Sequence, residues 1–303
     1  MIYDIIVIGG GPAGLTAAVY ARRANKTVLV IEKAVFGGQI TYSPKVENIP
    51  GFTALSGNEF AEKLVDQALA QGVEVESAEV LSVTDGEVKT VRTDGGDFQG
   101  RAVILAAGAR HRLIGLENEE NLIGNGISFC AVCDGAFYQD REVGVVGGGN
   151  SALQEALLLA DQAKKVTVIQ NLDFLTGEKA LCDQLAAKKN VEVILGTVVT
   201  AVLGENELTG VTVEKTATGE KTDLKLDGLF IAIGLVPQNE PLASLIELDP
   251  RGYAKADESC VTSARGIFAA GDCRTKRIRQ VATAAADGAV AALAACDFLD
   301  GKA

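Results

Sequence analysis

Two cysteines separated by two residues are the most reactive feature of the sequence. Cys130 and Cys133 lie in the segment FCAVCDG, and Asp134 directly follows the second cysteine. Such a pair can help to bind a metal, or it can form a redox dithiol in which one thiolate attacks a disulfide and the other resolves it. The adjoining carboxyl group can carry a proton for the leaving thiolate, or it can simply cap a helix or turn.

A zinc ion would need ligands beyond this pair. It takes four ligands, whereas the remaining four cysteines are scattered singles and His111 is the only histidine. The composition therefore favours the redox dithiol and predicts no metal site. We expect His111, in a predicted linker, to be a solvated hinge residue, and the single cysteines to be small buried residues. These single cysteines are Cys182, Cys260, Cys273 and Cys296.

The first glycine-rich loop is typical of dinucleotide binding. Gly9, Gly11 and Gly14 form G-x-G-x-x-G between an apolar strand and a helix. The glycines allow a tight turn, close approach of a pyrophosphate and packing of the helix on the strand. The helix N-terminus then faces the anion. Glu32 ends the next strand, 23 residues after Gly9, and its carboxylate can accept a hydrogen bond from a ribose hydroxyl.

A second glycine-rich loop lacks the group that would recognise a nucleotide. Gly147, Gly149 and Ala152 form G-x-G-x-x-A, and the position 23 residues after Gly147 is Gln170. A neutral amide can bind a hydroxyl weakly, but it cannot bind a 2′-phosphate as a guanidinium does. Two interpretations are open. The loop binds a nucleotide but lacks the side chain that recognises its ribose or 2′-phosphate, or the loop serves only the packing of the fold.

The order of these segments predicts the fold. The chain has 303 residues, 48% of them hydrophobic, and its two strand–glycine loop–helix–strand units begin about 140 residues apart. This arrangement predicts an α/β protein with two Rossmann-like, three-layer ββα dinucleotide-binding domains, the second inserted into the first. The first domain is predicted to comprise residues 1–112 and 243–303, and the second residues 113–242. The alternating segments after each unit are expected to form antiparallel hairpins.

Charge and composition limit the partners and the cellular location that we expect for the protein. Its net charge of −12 disfavours nucleic acid as a partner. No apolar run in the sequence approaches the roughly 20 residues of a membrane span, so we expect no membrane partner. The N-terminal segment is interpreted as a strand and not as a signal peptide. Six cysteines without an export signal indicate a reducing, cytoplasmic location.

From end to end the chain resembles the low-molecular-weight thioredoxin reductases, a class of FAD-dependent pyridine nucleotide-disulfide oxidoreductases. The matching segments, in the order of the family, are GGGPAG, FGGQI, VENIPGF, AAGAR, CAVCDG, GGGNSA, AAGDCR and RQVATAAADGAVAA. The place of the C-x-x-C, just before the second glycine loop, is specific. Glutathione-reductase-type enzymes carry their cysteines in the first domain and have an additional C-terminal domain.

The resemblance implies FAD in the first domain and a redox role for the cysteines. It implies that Cys133 faces the flavin, that Cys130 attacks the partner disulfide and that Asp134 is the acid. It also implies a homodimer whose inserted domain swings the dithiol between flavin and partner. The cofactor-binding residues that it implies are Gly9, Gly11, Pro12, Ala13, Gly14, Glu32, Gly38, Gln39, Asn48, Val80, Ala107, Gly108, Gly271, Asp272, Arg279, Gln280 and Val281.

One departure from the family concerns the electron donor. NADPH-dependent members carry a His-Arg-Arg run and a further Arg at the end of the second-domain strand. Here those positions are Gln170, Asn171, Leu172 and Thr176. This pattern is similar to a branch of the family that takes electrons from reduced ferredoxin, which is usually acidic. Candidate basic patches for docking are Lys276 with Arg277 and Arg279, or Arg110 with Arg112.

The sequence therefore predicts an enzyme, a flavin-dependent thioredoxin reductase. The predicted partners are thioredoxin or a thioredoxin-like protein and, as the electron donor, reduced ferredoxin. Two alternatives stay open. One is an NAD(P)H-dependent thioredoxin-disulfide reductase with atypical nucleotide recognition. The other is a flavoprotein redox carrier or sensor whose dithiol does not turn over.

Overall fold

The structure is a computed structural model that describes residues 1–43 and 45–302, and it divides into two compact units. The first unit comprises Met1–Arg110 and Val236–Ala303, and the second His111–Leu235. The predicted junctions at 112/113 and 242/243 differ from this division by a few residues. The reason is that side chains next to each junction pack in the unit other than the predicted one. Leu242 is fully buried in the core of the first unit, whereas His111 stacks on Phe129 of the second. The last residue of the predicted first domain, Ala303, lies outside the described residues.

The helices and strands alternate along most of the chain. The strands are β1 (Ile2–Ile8), β2 (Val28–Glu32), β3 (Glu74–Ser77), β4 (Val80–Thr84), β5 (Lys89–Thr93), β6 (Gly96–Leu105), β7 (Ala109–His111), β8 (Ile127–Ser128), β9 (Glu142–Val146), β10 (Lys165–Ile169), β11 (Val191–Ile194), β12 (Thr197–Leu203), β13 (Gly210–Lys215), β14 (Lys221–Lys225), β15 (Gly228–Ile231), β16 (Leu235–Pro237) and β17 (Ile267–Ala269). The α-helices are α1 (Pro12–Arg23), α2 (Gly57–Ala70), α3 (Ala131–Asp134), α4 (Asn150–Ala160), α5 (Lys179–Ala186) and α6 (Val281–Leu299).

The first unit contains a mixed sheet in the order β3-β2-β1-β6-β5-β4, with β17 also paired to β6. Strands β1, β2 and β6 form parallel pairs, and their residues 5–8, 28–31 and 102–105 are buried apolar runs because both faces of this part of the sheet are covered. Strands β4, β5 and β6 form the expected antiparallel hairpins. The hairpin prediction is wrong for β3, which pairs parallel with β2 at the sheet edge.

Helices α1 and α6 pack closely on one face of this sheet. Gly288 of α6 permits the approach, since a Cβ atom there would lie 2.1 Å from the carbonyl oxygen of Ala13. Small residues of both helices complete this core with the apolar side chains of the sheet. Helix α6, with 19 residues and a mean hydropathy of 1.4, is long and apolar enough to cross a membrane. Asp287 and Asp297 interrupt its apolar residues, and the core helix of a soluble protein passes the same test, so this helix is weak evidence of a membrane span.

The second unit repeats this plan but divides its strands between two sheets. Its parallel sheet has the order β11-β10-β9-β15-β8, and a separate antiparallel sheet has the order β12-β13-β14. Helix α4 follows the second glycine loop, and its buried residues Leu153 and Leu159 form one core with the sheet residues Val145 and Val168. Helix α3 carries Cys133 and packs into the same core through Ala131. Both units are thus Rossmann-like.

Candidate active site

The first glycine loop brings β1, α1 and the end of β6 into close contact. A Cβ atom at Gly9 would lie 2.3 Å from the carbonyl oxygen of Ala106, and one at Gly14 would lie 1.9 Å from the carbonyl oxygen of Gly9. Gly9 also has a φ of +108°, which side chains rarely adopt. These positions therefore require glycine. Gly11 caps α1 without a side-chain hydrogen bond, and Pro12 begins the helix.

Glu32 is bound to the same loop. Its Oε2 accepts a hydrogen bond of 2.7 Å from the amide of Gly10, and its Oε1 accepts one of 2.9 Å from the amide of Ala34. Two backbone amides thus fix the carboxylate beside the glycine loop. Each carboxylate oxygen has two lone pairs, so acceptor capacity remains for the hydroxyls of a ribose.

The segment after β2 lies against the loop. The amide of Gly37 donates a hydrogen bond of 2.8 Å to the carbonyl of Gly10. Gly38 has a φ of +66°, and a Cβ atom there would lie 3.3 Å from the Cα of Gly11. Gln39, next in the chain, donates its side-chain amide to the carbonyl of Ala109. Gly38 therefore lies beside the first glycine loop.

A turn near the C-terminus of the chain reaches the start of α1. Gly271 has a φ of +78°, and a Cβ atom there would lie 2.8 Å from the Cβ of Ala13. The next residue, Asp272, has a buried Oδ1 without a hydrogen-bond partner. Burial raises the pKa of Asp272 although Lys276 and Arg279 oppose the shift. A buried carboxyl oxygen without a partner is costly unless a ligand supplies one.

The other predicted cofactor residues differ in their surroundings. Asn48 donates a hydrogen bond of 3.2 Å to Oε1 of Gln280, which caps α6 just before Val281. Arg279 lies over the ring of Tyr253, 4.3 Å from its centroid. Three more predicted residues belong to the sheet of the first unit or adjoin it. Val80 is buried in the core that covers one face of this sheet, and Ala107 and Gly108 follow the end of β6.

These features fit a dinucleotide cofactor. The N-terminus of α1 has no side-chain cap and no acidic residue in its first turn, so its amides and dipole can receive a pyrophosphate. Around Gly11 a Cβ atom would meet only one atom, 3.9 Å away, which leaves open space above the turn. The unpartnered Oδ1 of Asp272 supplies an acceptor or, when protonated, a donor for a polar group of the ligand.

An ionic cluster below this turn was not predicted. Asp287 of α6 accepts two hydrogen bonds of 2.8 Å from the guanidinium of Arg274, one of 2.8 Å from Lys276 and one of 3.0 Å from the amide of Gly271. The side chain of Lys276 is only 7% exposed. The prediction of Lys276 as part of a docking patch is therefore wrong, because a buried, paired ammonium cannot contact an acidic partner. Arg277 is exposed, as are Arg110 and Arg112.

The second glycine loop keeps the backbone of the first but has different surroundings. Gly147 has a φ of +131°, and a Cβ atom there would lie 2.6 Å from the carbonyl oxygen of Ala232. Gln170 is buried beside the loop, within 2.5 Å of the place of a Cβ atom on Gly148. Its amide donates a hydrogen bond of 3.2 Å to the carbonyl of Phe174. No lysine or arginine lies between residues 166 and 178.

A carboxylate lies where the second loop meets its helix. Asn150, the first residue of α4, accepts a hydrogen bond of 2.7 Å from the amide of Glu178 and donates one of 2.9 Å to Oε1 of the same residue. The helix N-terminus of this loop thus has an acidic neighbour. The field of a carboxylate there opposes the binding of phosphates.

The cysteine pair lies at the start of α3. Cys130 and Cys133 are joined in a disulfide with their Cα atoms 5.3 Å apart. The amide of Cys133 donates a hydrogen bond of 3.2 Å to Sγ of Cys130. Ser128 donates one of 2.6 Å to Oδ2 of Asp134, while Oδ1 of Asp134 is buried without a partner. Burial raises the pKa of Asp134, and the hydrogen bond from Ser128 opposes that rise.

Two further titratable groups of the second unit have surroundings that the sequence did not predict. His111 stacks on Phe129 with ring centroids 4.5 Å apart, and burial lowers its pKa to about 4. The prediction of a solvated hinge residue is therefore wrong for this side chain. Glu155 of α4 has a buried Oε2 without a partner, and burial raises its pKa to about 8. A carboxyl inside a helical pattern gives no sequence signal of such burial.

Comparison with known proteins places this fold and disulfide in a family. Residues 3–288 match the model of the family described as pyridine nucleotide-disulphide oxidoreductase. The thioredoxin reductase of Bacillus subtilis (strain 168) is 42% identical over 293 residues, covering 96% of this chain and 93% of the relative. A Clostridium pasteurianum protein described as "34.2 kDa protein in rubredoxin operon" is 41% identical over 302 residues, covering 99% and 98%.

A solved structure gives the same result. The thioredoxin reductase from Streptococcus pyogenes MGAS5005 superposes with a TM-score of 0.93 at 39% identity, covering 99% of each chain. The chain therefore belongs to the pyridine nucleotide-disulphide oxidoreductase family. FAD is its cofactor, as the fit of the first glycine loop indicates.

Proposed function

We propose that the chain is a flavin-dependent thioredoxin-disulfide reductase whose Cys130–Cys133 pair reduces thioredoxin or a thioredoxin-like protein. The observation that carries the proposal is the disulfide itself, at the start of α3, beside a carboxyl group with a free buried oxygen. The relatives named thioredoxin reductase support the substrate. When bound, FAD supplies the redox chemistry that regenerates the dithiol.

The residues of the first unit hold the cofactor in this proposal. The free amides at the start of α1 bind the pyrophosphate, and Glu32 accepts a ribose hydroxyl. Asp272 offers its unpartnered Oδ1 to a polar group of the ligand. The remaining predicted contact residues position these three elements.

The residues of the second unit perform the exchange. Cys130 attacks the partner disulfide as a thiolate, which the amide of Cys133 stabilises by its hydrogen bond to Sγ. Cys133 then resolves the mixed disulfide. Asp134 carries the proton for the leaving sulphur, and burial favours this role because it raises the pKa of the carboxyl group.

The thioredoxin proposal is tested by turnover of disulfide-containing thioredoxin. The wild-type protein should reduce it, whereas Cys130→Ser and Cys133→Ser should each lose this activity while keeping FAD. Cys182→Ser is the matched control, since Cys182 is a free cysteine of the same unit, and it should behave as wild type. Wild-type turnover in either active-site variant would contradict the role of the pair. If the wild type fails to reduce thioredoxin while its disulfide still cycles with the flavin, the carrier or sensor alternative is favoured.

We also propose that reduced ferredoxin, and not NADPH, is the electron donor. Three observations support this: the neutral Gln170, the absence of lysine and arginine from residues 166–178, and the carboxylate of Glu178 beside Asn150. A one-electron protein carrier needs a docking surface and no nucleotide pocket. The description of one relative as a protein in a rubredoxin operon is in keeping with a protein donor, because rubredoxins carry single electrons. NADH is the second candidate donor, because the loop around Gly147 keeps its geometry and NADH has no 2′-phosphate.

The donor is identified by anaerobic reduction of the flavin with NADPH, NADH and reduced ferredoxin in turn. Ferredoxin should reduce it rapidly and NADPH slowly. Arg277→Glu should slow reduction by ferredoxin but not by a small chemical reductant, and Arg251→Glu, another exposed arginine of the first unit, is the control. Rapid reduction by micromolar NADPH would overturn the donor proposal.

A homodimer and a cytoplasmic location complete the proposal. Cys260, Cys273 and Cys296 are free and buried, in keeping with a protein whose only described disulfide, over residues 1–43 and 45–302, is the redox pair. Sedimentation of the purified protein tests the dimer, and fractionation of its source cells tests the location.

A further inference from the structure

The hydroxyl of Ser128 connects the backbone of one active cysteine to the carboxyl group of Asp134. Ser128 ends β8, and only 4% of its surface is exposed. Its Oγ accepts a hydrogen bond of 3.2 Å from the amide of Cys130 and donates one of 2.6 Å to Oδ2 of Asp134. These three residues therefore form a short chain of hydrogen bonds within the second unit.

The hydrogen bonds of this chain run from the amide of Cys130 to Ser128 and from Ser128 to Asp134. An amide can only donate, so the amide of Cys130 occupies a lone pair on Oγ of Ser128. The single hydroxyl hydrogen is then free for Oδ2 of Asp134. The separation of 2.6 Å is that of a short O–H···O hydrogen bond. Oδ2 is thus committed as an acceptor.

The other oxygen of Asp134 is left for the exchange reaction. Oδ1 is buried and has no hydrogen-bond partner. Asp134 follows Cys130 by four residues, and its amide donates a hydrogen bond of 3.0 Å to the carbonyl of Cys130. Cys130 is the N-cap of α3 and Asp134 is its last residue, so a single helical turn joins the attacking cysteine to the carboxyl group.

We propose that Ser128 is a positioning residue for proton transfer: it commits Oδ2 of Asp134 as an acceptor, so that Oδ1 is the oxygen that holds and releases the proton. This inference rests on the proposed disulfide reductase function. It goes beyond that function by assigning a role to a residue outside the C-x-x-C-D segment and by assigning the proton to one oxygen.

The exchange is balanced with this assignment. The thiolate of Cys130 attacks one sulphur of the partner disulfide, whose S–S bond breaks, and the leaving sulphur takes the proton from Oδ1 of Asp134. Oδ1 then takes the proton of the Cys133 thiol. The sulphur of Cys133 attacks the sulphur of Cys130, which forms the Cys130–Cys133 bond and releases the second partner sulphur. That sulphur takes the proton from Oδ1. The dithiol has lost two electrons and the partner disulfide has gained them.

Two variants of equal shape isolate the hydroxyl. Ser128→Thr keeps the donor, and Ser128→Val replaces it with a methyl group in the same outline. The matched control for a lost buried hydroxyl is Thr197→Val, since Thr197 is 1% exposed and donates to the carbonyl of Leu195 in the same unit. All variants are purified with FAD, and their thermal unfolding is compared first.

The first measurement is infrared difference spectroscopy of the carboxyl stretch, with Asp134→Asn identifying the band. If Oδ1 holds the proton, Oδ2 is the carbonyl oxygen that receives the hydrogen bond from Ser128. The band should therefore lie at higher frequency in Ser128→Val than in the wild type. In Ser128→Thr and Thr197→Val it should have the wild-type frequency. An unchanged frequency in Ser128→Val, or no band that Asp134→Asn removes, would overturn the proposal. Should Ser128→Val not fold, Ser128→Ala takes its place in the same comparison.

The second measurement is the pH profile of thioredoxin reduction. Because the bond from Ser128 lowers the pKa of Asp134, its loss should move the basic limb of the profile to higher pH. The maximal rate should fall about tenfold or more, a part of the 10²–10⁴-fold that acid–base catalysis contributes. Thr197→Val should keep the wild-type profile, and a Ser128→Val profile equal to it would contradict the positioning role. A wild type that shows the infrared pattern but does not reduce thioredoxin would instead overturn the proposed function.

Discussion

Oε2 of Glu32 accepts a hydrogen bond of 2.7 Å from the amide of Gly10, whereas the corresponding residue of the second unit, Gln170, lies against Gly148 but donates its hydrogen bond away from the glycine loop. The amide of Gln170 donates to the carbonyl of Phe174, 3.2 Å away, four residues further along the chain. In the first unit a carboxylate is thus held at the glycine loop, ready to bind a ribose. In the second unit the side chain of Gln170 makes its hydrogen bond within the segment that follows β10. The two halves of one architecture therefore differ at the position that selects a nucleotide.

The first prediction concerns FAD binding by Glu32. Glu32→Gln should weaken FAD binding because the carboxylate that accepts the Gly10 amide and a ribose hydroxyl becomes a neutral amide. Losing hydrogen bonds to a charged acceptor costs about 1.5–3 kcal/mol, which is roughly a 10- to 150-fold rise in Kd. Titration of the FAD-free protein by flavin fluorescence measures this. Glu79→Gln, which removes only an exposed pair with Lys33, is the control and should bind FAD normally. Equal affinity in the two variants would remove Glu32 from the cofactor site.

The second prediction concerns nucleotide selection in the second unit. Asn171→Arg combined with Leu172→Arg should increase the rate at which NADPH reduces the flavin, because cations return to the end of β10. Leu172 is 40% exposed, so a longer charged side chain can be accommodated there. Each charge-assisted hydrogen bond to the 2′-phosphate should contribute about 1.5–3 kcal/mol, so the gain should be roughly tenfold or more.

NADH provides the control for this prediction, since it has no 2′-phosphate. Stopped-flow reduction of the flavin by NADH should change little in the double variant. An equal gain in rate with both nucleotides would show that the arginines attract any anionic nucleotide and do not bind the 2′-phosphate specifically. No gain with NADPH would mean that the glycine loop itself no longer binds dinucleotides.

The motif segments were predictable from the sequence because their chemistry is local. The spacing of Gly9, Gly11 and Gly14 predicts a tight turn between strand and helix, and the structure has that turn, with no room for a side chain at Gly9 and Gly14. The Cys130–Cys133 disulfide likewise follows from a separation of two residues. Contacts between distant segments have no such pattern. Asp287 of α6 pairs with Arg274 and Lys276, which precede the helix in the chain. The sequence shows that these charges exist, but it does not show which of them are buried.

The third prediction concerns this buried ionic cluster. Asp287→Asn should destabilise the protein because it leaves Lys276 buried without a counter-charge and leaves Arg274 only the fully exposed Glu258, 3.9 Å away. Removing one partner of a buried pair typically costs about 3–5 kcal/mol. Urea unfolding at neutral pH measures the loss. Asp300→Asn, in an exposed pair with Lys26 on the same unit, is the control and should cost less than about 1 kcal/mol.

The same cluster makes a prediction about acid pH. Burial raises the pKa of Asp287, but the hydrogen bonds from Arg274 and Lys276 outweigh it, so the net shift is downward. A lowered folded-state pKa means that its stabilisation is present above the unfolded value of 3.8 and is lost as the pH falls below it. Asp287→Asn should therefore unfold with a shallower acid transition than wild type. An acid transition of equal slope in both proteins would contradict the role of this carboxylate.

The last prediction concerns Glu155, whose buried Oε2 has no partner. Burial raises its pKa from 4.5 to about 8, so the folded protein binds a proton that the unfolded chain releases between these values. Stability from this group is therefore complete below about pH 4.5 and is lost as the pH rises to about 8. Glu155→Gln keeps the shape without titrating, so its stability relative to wild type should rise across that window. The slope of the difference should be at most about 1.4 kcal/mol per pH unit. Urea unfolding between these pH values measures it, with Glu192→Gln, at an exposed pair with Lys165 of the same unit, as the control. A stability difference between Glu155→Gln and wild type that does not vary with pH would show that Glu155 is ionised in the folded protein throughout.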